Sequence, residues 1–313
     1  MSEKTITLAC GDFDRTRRVL DGTIGIEGYK LKFVTLPPEE MFRRAFESEF
    51  DVSELSVSTF LLHVGRGTCP YVGLPIFPSR AFRHAAVYVR ATGNIDRPQD
   101  LRGKSVGVRS YLNTAALVVR GLLADEYGVA STEMTWRVGD VDDVDRKEIP
   151  VPRLDREVDI KALPYGSTLT GQLLDGGIDA LIHYNPPRGF DSAGRSLFRR
   201  LFPDPATAER AYFQKTGIFP IMHLIGVRPP LLEQDPSLPR KLYDAFAKAK
   251  SRAMSDLMSQ SSPKLSLPWL NDDVARTMAL AGPDFWPYGV KKNEAALASL
   301  VRYAFDQGRP RGC

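Results

Sequence analysis

Short strand patterns alternate with helix patterns along most of this 313-residue chain. Residues 5–9 are apolar and β-prone, a glycine turn follows, and residues 15–20 then have a helical pattern. The same order returns at 31–46 and again at 105–127. Strands that alternate with helices predict an α/β fold with mainly parallel sheets. One hydrophobic core rarely serves a chain of this length, so we expect two domains.

Composition and charge narrow the classes of function. Hydrophobic residues make up 43% of the chain and charged residues 26%, as in an ordinary globular protein. The net charge is +4 and no long basic block occurs, so we expect no nucleic acid as partner. No apolar run approaches a membrane span, and residues 1–6 lack a secretory-signal pattern. The three cysteines, Cys10, Cys69 and Cys313, lack metal-site spacing and fit reduced thiols in the cytoplasm.

Two arginines and a histidine lie close together in the segment 77–84, between two apolar runs. Arg80 and Arg83 present planar guanidinium groups that match carboxylates, and His84 can carry a proton near neutral pH. The segment therefore predicts a site for a small carboxylated molecule, with acid–base chemistry nearby. The alternative is a solvated basic loop between two strands.

Ligands on parallel α/β sheets bind beyond the carboxyl ends of the strands, where the loops gather. The predicted site walls are therefore the loops at 10–15, 53–58, 77–84, 109–114 and 183–188. These loops also carry most of the residues whose side chains could do chemistry. The coincidence predicts a functional cleft.

Arginine and a helix start supply further anion contacts. Arg15 follows the first strand and could hold a carboxylate. Asn113 and Thr114 lie at a strand-to-helix junction, where free backbone N–H groups and polar side chains form an anion pocket. Asn113 could also simply cap the helix, and the two roles are compatible. No phosphate-loop motif occurs, which disfavours nucleotides.

The candidates for proton transfer are His84, His183, His223, Glu54 and Asp12. His183 ends an apolar strand before a polar loop, whereas His223 lies inside an apolar strand and could be a core residue. Burial would raise the pKa of Glu54 and make it a proton donor, unless it pairs with an arginine. Asp12 could instead cap the following helix. The histidine spacings give no metal motif, so neither a metal nor a cofactor is predicted.

Several segments together resemble the 4,5-dihydroxyphthalate decarboxylase family, namely residues 8–16, 36–40, 50–56 and 75–84. The last segment, which contains the phenylalanine–proline–serine–arginine run and ends at His84, is the most specific of them. The segment 100–108 resembles the start of the second lobe in this family. The likeness covers nearly the whole chain and is strongest over residues 5–128.

The resemblance implies a two-lobed fold like that of type II periplasmic binding proteins, with the active site in the cleft between the lobes. Lobe 1 would comprise residues 1–90 and 228–313, and lobe 2 would comprise residues 91–227. It also implies loss of carbon dioxide, without oxidation, from 4,5-dihydroxyphthalate to give protocatechuate.

For such a reaction the three arginines, Arg15, Arg80 and Arg83, would hold the two carboxylates, and Asn113 and Thr114 would complete the anion pocket. A hydroxyl para to the leaving carboxylate pushes electrons into the ring. A general acid then protonates the ipso carbon, and carbon dioxide leaves as aromaticity returns. The expected partner is a small aromatic dicarboxylate. We expect neither a membrane nor a redox cofactor to take part, and assembly into a homo-oligomer is left open.

Two other functions stay open at this point. The same fold could belong to a non-catalytic solute-binding or sensor protein for an aromatic or other small carboxylate, although no export signal is visible. An enzyme of this fold could also decarboxylate a related hydroxyaromatic acid with a divalent metal. Loss of activity with a chelator would favour that second function.

Overall fold

A computed structural model of the chain describes residues 3–145, 151–152, 154, 158–191, 196–261 and 264–308. Its strands are β1 (Lys4–Ala9), β2 (Tyr29–Val34), β3 (Val52–Ser56), β4 (Val72–Arg80), β5 (Val87–Arg90), β6 (Ser105–Val108), β7 (Thr135–Val138), β8 (Ile160–Ala162), β9 (Ala180–Ile182), β10 (Phe198–Arg200) and β11 (Ile221–Val227). Its helices are α1 (Asp14–Leu20), α2 (Pro38–Phe46), α3 (Val57–Gly65), α4 (Thr114–Tyr127), α5 (Leu169–Asp175), α6 (Pro205–Thr216), α7 (Pro229–Gln234), α8 (Leu238–Leu257), α9 (Leu270–Ala281) and α10 (Glu294–Asp306). The predicted α/β class is confirmed.

Unit 1 is the first of two compact units, and it comprises Met1–Val57, Thr68–Arg80 and Ile221–Glu294. Its sheet has the strand order β2-β1-β3-β11-β4. Strand β1 is parallel to β2 and β3, whereas β11 is antiparallel to both β3 and β4. Helix α8 packs against α1 and β4. It buries Leu242 and Phe246, which the helical spacing of apolar residues predicts.

Unit 2 comprises Ser58–Gly67, Ala81–Pro220 and Ala295–Cys313. Its sheet has the order β10-β5-β9-β6-β7-β8. Helix α4 packs into the core of this unit and ends at Gly128, whose φ of 65° lies in the left-handed region that favours glycine. No described helix is both long and apolar enough to cross a membrane.

These units differ from the predicted lobe boundaries at 90/91 and 227/228. Strand β11 lies in unit 1 because it pairs with β3 and β4. The segment 81–90 lies in unit 2 because β5 pairs with β9 and β10. Both pairings of β11, like those of β5, are antiparallel, so the sheets are mixed rather than mainly parallel.

The segment 77–84, predicted as a loop, is partly a strand. Strand β4 continues through Arg80 because its last residues pair with the start of β11, Ser79 with His223 and Arg80 with Ile221. The sequence patterns also missed β10, α6 and α7. Residues 139–168, which we expected to be irregular apart from a short strand near residues 158–160, lie partly outside the described residues, and strand β8 lies within them.

Candidate active site

A buried carboxylate and an imidazole form the centre of the candidate site in unit 1. Glu54 of β3 lies opposite Ile225 of β11, so Glu54 and His223 project from the same face of the sheet. The Oε1 atom of Glu54 lies 2.5 Å from Nδ1 of His223. Its Oε2 atom accepts a hydrogen bond of 2.8 Å from the backbone N–H of Gly11. Both oxygens of a carboxylate that is only 1% exposed are therefore engaged.

These contacts stabilise the ionised form of Glu54. Burial by itself raises the pKa of Glu54, but His223 and the N–H of Gly11 outweigh burial and hold that pKa below its usual range. The prediction of a raised pKa is wrong, because the partner that pairs with Glu54 is a distant histidine. Since Nδ1 of His223 faces the carboxylate, proton exchange with a substrate would use Nε2. The imidazole also packs edge-on against Phe42, at 4.8 Å between ring centroids.

The chain just after β1 packs tightly against the same carboxylate. The Sγ atom of Cys10 lies 3.5 Å from Oε2 of Glu54. Burial raises the pKa of Cys10 well above its usual range, so the thiol stays protonated. A Cβ atom at Gly11 would lie 2.8 Å from the ring of Phe13 and 3.2 Å from Oε2 of Glu54. A larger residue at position 11 would therefore require the ring of Phe13 to move.

Arg15, a predicted anchor, is held between two aromatic rings. Its guanidinium lies 3.9 Å from the ring centroid of Trp286 and 4.5 Å from that of Phe13. Its Nε donates to the carbonyl oxygen of Pro78 at 2.6 Å, and Nη1 pairs with Asp14 at 2.9 Å. Burial lowers the pKa of Arg15, but an arginine so placed remains a cation at neutral pH.

Arg80, the second predicted anchor in unit 1, is buried at the end of β4. It donates to the carbonyl oxygen of Pro287 at 2.7 Å and to the side chain of Asn293, both neutral acceptors. Burial lowers the pKa of Arg80 to about 10. Its charge at neutral pH is therefore retained in a largely desolvated position, where interaction with an anion is strong.

A loop that was not predicted from the sequence contacts both arginines. Residues 286–289, Trp-Pro-Tyr-Gly, connect α9 to the turn before α10. Trp286 contacts Arg15, and Pro287 contacts Arg80. A signal existed in the sequence, since two aromatic residues, a proline and a glycine occur in four positions of a loop.

In unit 2, His84 is a core side chain. It is 2% exposed and packs edge-on against Phe202 and Tyr212, with ring centroids 5.1 and 5.6 Å away. Its Nδ1 lies 4.0 Å from Oε1 of Glu209, beyond hydrogen-bonding distance. Burial lowers the pKa of His84 to about 4, so the ring is neutral near pH 7.

His183 follows β9 and lines a cavity of about 480 Å³ in unit 2. Its Nδ1 lies 2.9 Å from the carbonyl oxygen of Asn185, which favours the tautomer with the proton on Nδ1. An ion pair of 3.0 Å between Arg109 and Asp140 forms part of the cavity wall. Two of the predicted loops, 109–114 and 183–188, thus contribute to one pocket.

Asn113 and Thr114 have structural partners in unit 2. The Oδ1 atom of Asn113 accepts from the N–H of Ala116 at 2.7 Å, which is the helix cap that the sequence left open. The hydroxyl of Thr114 accepts from the N–H of Ser58 at 3.1 Å and donates to its hydroxyl at 3.0 Å. The polar atoms expected in an anion pocket therefore hold α3 and α4 together.

Asp12 and Arg83 are also accounted for. Asp12 is half-exposed and pairs with Arg17 at 2.8 Å. Arg83 is partly buried in unit 2, where burial lowers its pKa.

Across the described ranges, no group of three or more histidine, cysteine, aspartate or glutamate side chains is arranged to hold a metal ion. Cys10 and Cys69 are free thiols, and Cys313 lies outside the described residues.

Sequence relatives carry a consistent name. The chain is 40% identical over 294 residues to the 4,5-dihydroxyphthalate decarboxylase of Comamonas testosteroni, covering 94% of this chain and 89% of that protein. It is 35% identical over 215 residues to the 4,5-dihydroxyphthalate decarboxylase of Pseudomonas putida, covering 68% of this chain and 83% of that protein. No protein-family model matches the chain.

Solved structures show the fold. A protein of Archaeoglobus fulgidus superposes with a TM-score of 0.55 at 15% identity, over 96% of this chain and 97% of its own. The alkanesulfonate-binding protein SsuA of Xanthomonas axonopodis pv. citri, bound to MOPS, superposes with a TM-score of 0.54 at 12% identity, over 98% and 94%. The expected periplasmic-binding-protein-like fold is thereby confirmed, and at such identities the likeness concerns the fold alone.

Proposed function

The chain belongs to the 4,5-dihydroxyphthalate decarboxylase family, and from this membership we propose that it is a carboxy-lyase that converts 4,5-dihydroxyphthalate to protocatechuate and carbon dioxide. The observation that carries the proposal is 40% identity over 94% of the chain to an enzyme of that name. The chemistry of unit 1 supports it, because buried cations and an acid–base pair occur there together.

Arg15 and Arg80 bind the substrate carboxylates in this proposal. Each guanidinium is largely desolvated and donates one hydrogen bond to a backbone oxygen, that of Pro78 for Arg15 and that of Pro287 for Arg80. Arg15 also pairs with Asp14. Charge-assisted hydrogen bonds to a carboxylate are stronger in such surroundings than in water. The indole ring of Trp286 packs against Arg15 and fixes the orientation of its planar guanidinium, which suits the binding of a planar aromatic acid.

His223 delivers the proton, and Glu54 positions it. The hydroxyl para to the leaving carboxylate donates electron density into the ring, and the ipso carbon takes a proton from Nε2 of His223. The bond between that carbon and the carboxylate then breaks, its electrons restore the aromatic ring, and carbon dioxide leaves. Each turnover consumes one proton, and His223 then takes up another proton from solvent. The buried carboxylate of Glu54 stabilises the imidazolium and fixes its orientation.

The surroundings of the other predicted site residues indicate which of them could transfer a proton. His84 is neutral and enclosed by aromatic rings, and Asp12 is paired with Arg17 near solvent, so neither suits proton transfer to a ring carbon. His183 stays a candidate for accepting the phenolic proton, because it lines a pocket and its Nδ1 is already engaged. A contribution of Arg83, Asn113 or Thr114 to substrate binding stays a prediction.

A cytoplasmic location is also proposed. It is supported by the free thiols of Cys10 and Cys69, since oxidising compartments favour disulfides. Cell fractionation of the native host tests it, and recovery of the protein in the periplasmic fraction would contradict it.

The purified protein incubated with 4,5-dihydroxyphthalate tests the main proposal. We expect protocatechuate and carbon dioxide in equal amounts. Tight binding without turnover would instead indicate a solute-binding protein. Turnover that is lost with a chelator and restored by a divalent ion would indicate the metal-dependent alternative.

A further inference from the structure

Tyr288 is a buried tyrosine whose hydroxyl has no hydrogen-bond partner among the residues that the structure describes. Only 4% of the residue is exposed. Burial of a hydroxyl without a partner is unfavourable, and most buried polar groups in native proteins are satisfied. The hydroxyl of Tyr288 is therefore suited to a partner from outside the described part of the chain.

Its surroundings indicate the charge of that partner. The two residues before Tyr288 touch the two buried arginines, since Trp286 stacks on Arg15 and the carbonyl of Pro287 accepts from Arg80. The hydroxyl also interacts electrostatically with both guanidinium groups, as well as with Cys10 and with Asp14, the ion-pair partner of Arg15. A ligand next to two buried cations is an anion, and an anion is an acceptor for a phenolic O–H group.

The residues on both sides of Tyr288 are hydrogen-bonded to β4, one through its side chain and one through its backbone. The indole N–H of Trp286 donates to the carbonyl oxygen of Phe77 at 2.9 Å. The N–H of Gly289 donates to the carbonyl oxygen of Pro75 at 2.8 Å. A side chain held by such a loop is preorganised, so little conformational entropy is lost when it binds a ligand.

We infer that Tyr288 is a substrate-binding residue whose hydroxyl donates a hydrogen bond to a carboxylate oxygen of the dicarboxylate held by Arg15 and Arg80. The inference rests on the proposed function, for which it adds a contact. Burial raises the pKa of Tyr288 well above its usual range, and the nearby positive charges only partly offset burial. The hydroxyl thus stays protonated and is a poor proton source, so its contribution lies in binding rather than in proton transfer.

The test uses phthalate, which has both carboxylates but no hydroxyl to drive decarboxylation. Its dissociation constant is measured by calorimetry for the wild type, for Tyr288→Phe and for Tyr243→Phe. Tyr243 is a matched control, because its ring lies 6.5 Å from that of Tyr288 and outside the contacts named above. We expect Tyr288→Phe to bind phthalate about 10- to 100-fold more weakly, as loss of a hydrogen bond to a charged group predicts. We expect Tyr243→Phe to bind like the wild type.

Kinetics and stability separate this role from others. For 4,5-dihydroxyphthalate, Tyr288→Phe should raise KM by a similar factor and leave the shape of the pH–rate profile unchanged. Its melting temperature should not fall, because the substitution removes a hydroxyl that has no hydrogen-bond partner among the described residues. A lost limb of the pH profile, or a fall of several degrees in melting temperature, would overturn the inference.

The binding experiment also separates the inference from its premise. If the wild type binds phthalate and Tyr288→Phe binds equally well, the inference fails and the proposed function stands. If the wild type does not turn over 4,5-dihydroxyphthalate, the proposed function fails, whatever the binding of phthalate shows about Tyr288.

Discussion

Each unit of the molecule contains a histidine close to a buried or half-buried glutamate, and the two pairs behave in opposite ways. In unit 1, Nδ1 of His223 lies 2.5 Å from Oε1 of Glu54, and the pKa of that carboxyl is lowered. In unit 2, Nδ1 of His84 lies 4.0 Å from Oε1 of Glu209. Burial there lowers the pKa of His84 to about 4 and raises the pKa of Glu209.

The difference shows that hydrogen bonding decides whether the carboxyl group of such a pair is stabilised in its ionised or in its neutral form. A short contact, together with a second donor from Gly11, compensates Glu54 for the loss of water. Without a hydrogen bond between His84 and Glu209, desolvation dominates and favours the neutral form of both. The pair in unit 1 is therefore suited to proton transfer, and the pair in unit 2 to packing.

The largest effect is expected for His223→Asn. Removal of the proton donor should lower kcat by about 10²- to 10⁴-fold, the range typical of general acid–base catalysis. KM should change much less, because the arginines that bind the carboxylates are untouched. Steady-state kinetics with purified protein measures both. A variant with near wild-type kcat would break the contrast between the two pairs.

Glu54→Gln should have a smaller effect on turnover, with kcat lowered by about 10²-fold, because the imidazole loses the charge that stabilises its protonated form. Its pH dependence of stability should also change. Because the pKa of Glu54 is lower in the folded protein than its usual value of 4.5, the ionised carboxylate stabilises the wild type at pH values above 4.5. This stabilisation is lost as the pH falls below 4.5 and through the pKa of the folded state. Thermal melts from pH 7 to 3 should lack this step in the variant. Identical melting profiles would contradict the ionic description.

Arg80→Lys should act on binding. Lysine keeps the charge but not the planar fork, so we expect KM to rise by about 10-fold with a modest change in kcat. Arg43→Lys is the matched control, since Arg43 of α2 is exposed and pairs with Glu47, which lies just beyond the end of that helix. Equal KM values for the two variants would remove Arg80 from the substrate site.

His84→Phe should change stability at acidic pH more than activity at neutral pH. A pKa lowered from 6.5 to about 4 means that the wild type loses stability as the pH falls through that interval, since the unfolded chain binds the proton first. Phenylalanine keeps the aromatic packing and removes the titration. Melting temperatures at pH 7, 6 and 5 should therefore converge toward one value in the variant. A large loss of kcat at pH 7 would instead return His84 to the acid–base candidates.

The smallest effect is expected for Asp12→Asn. Asp12 is half-exposed, and its ion pair with Arg17 is of a kind that contributes about 0–1 kcal/mol. Both kcat and KM should stay within about twofold of the wild type, because a side chain near solvent contributes little. A fall in kcat comparable to that of Glu54→Gln would show that burial does not decide which of the two carboxylates contributes to catalysis.

Local patterns allowed much of the fold to be predicted, and the site only in part. Helix α4 begins after Asn113 and ends at Gly128, as its cap and breaker residues predict. Glu54 and His223 could be chosen as candidates but not paired, because 169 residues separate them and only the register of β11 on β3 brings them together. That antiparallel return is a tertiary choice, and strand propensity carries no information on it.

Other features escaped prediction for related reasons. Arg80 lies at the end of a strand rather than in a loop, because β11 extends the pairing of β4 past the proline at position 78. Tyr288 gave no signal of acid–base or metal chemistry in the sequence. Its interest arises only from burial beside two arginines that come from distant parts of the chain.

The most direct test of the account is turnover of 4,5-dihydroxyphthalate in D₂O by the wild type and by His223→Asn, followed by proton NMR of the product and by carbon dioxide release. We expect the wild type to give protocatechuate with one deuterium at the ring carbon that lost its carboxylate. We expect His223→Asn to give the same product at least about 10²-fold more slowly. Absence of protocatechuate with the wild type, or equal rates for the two proteins, would contradict it.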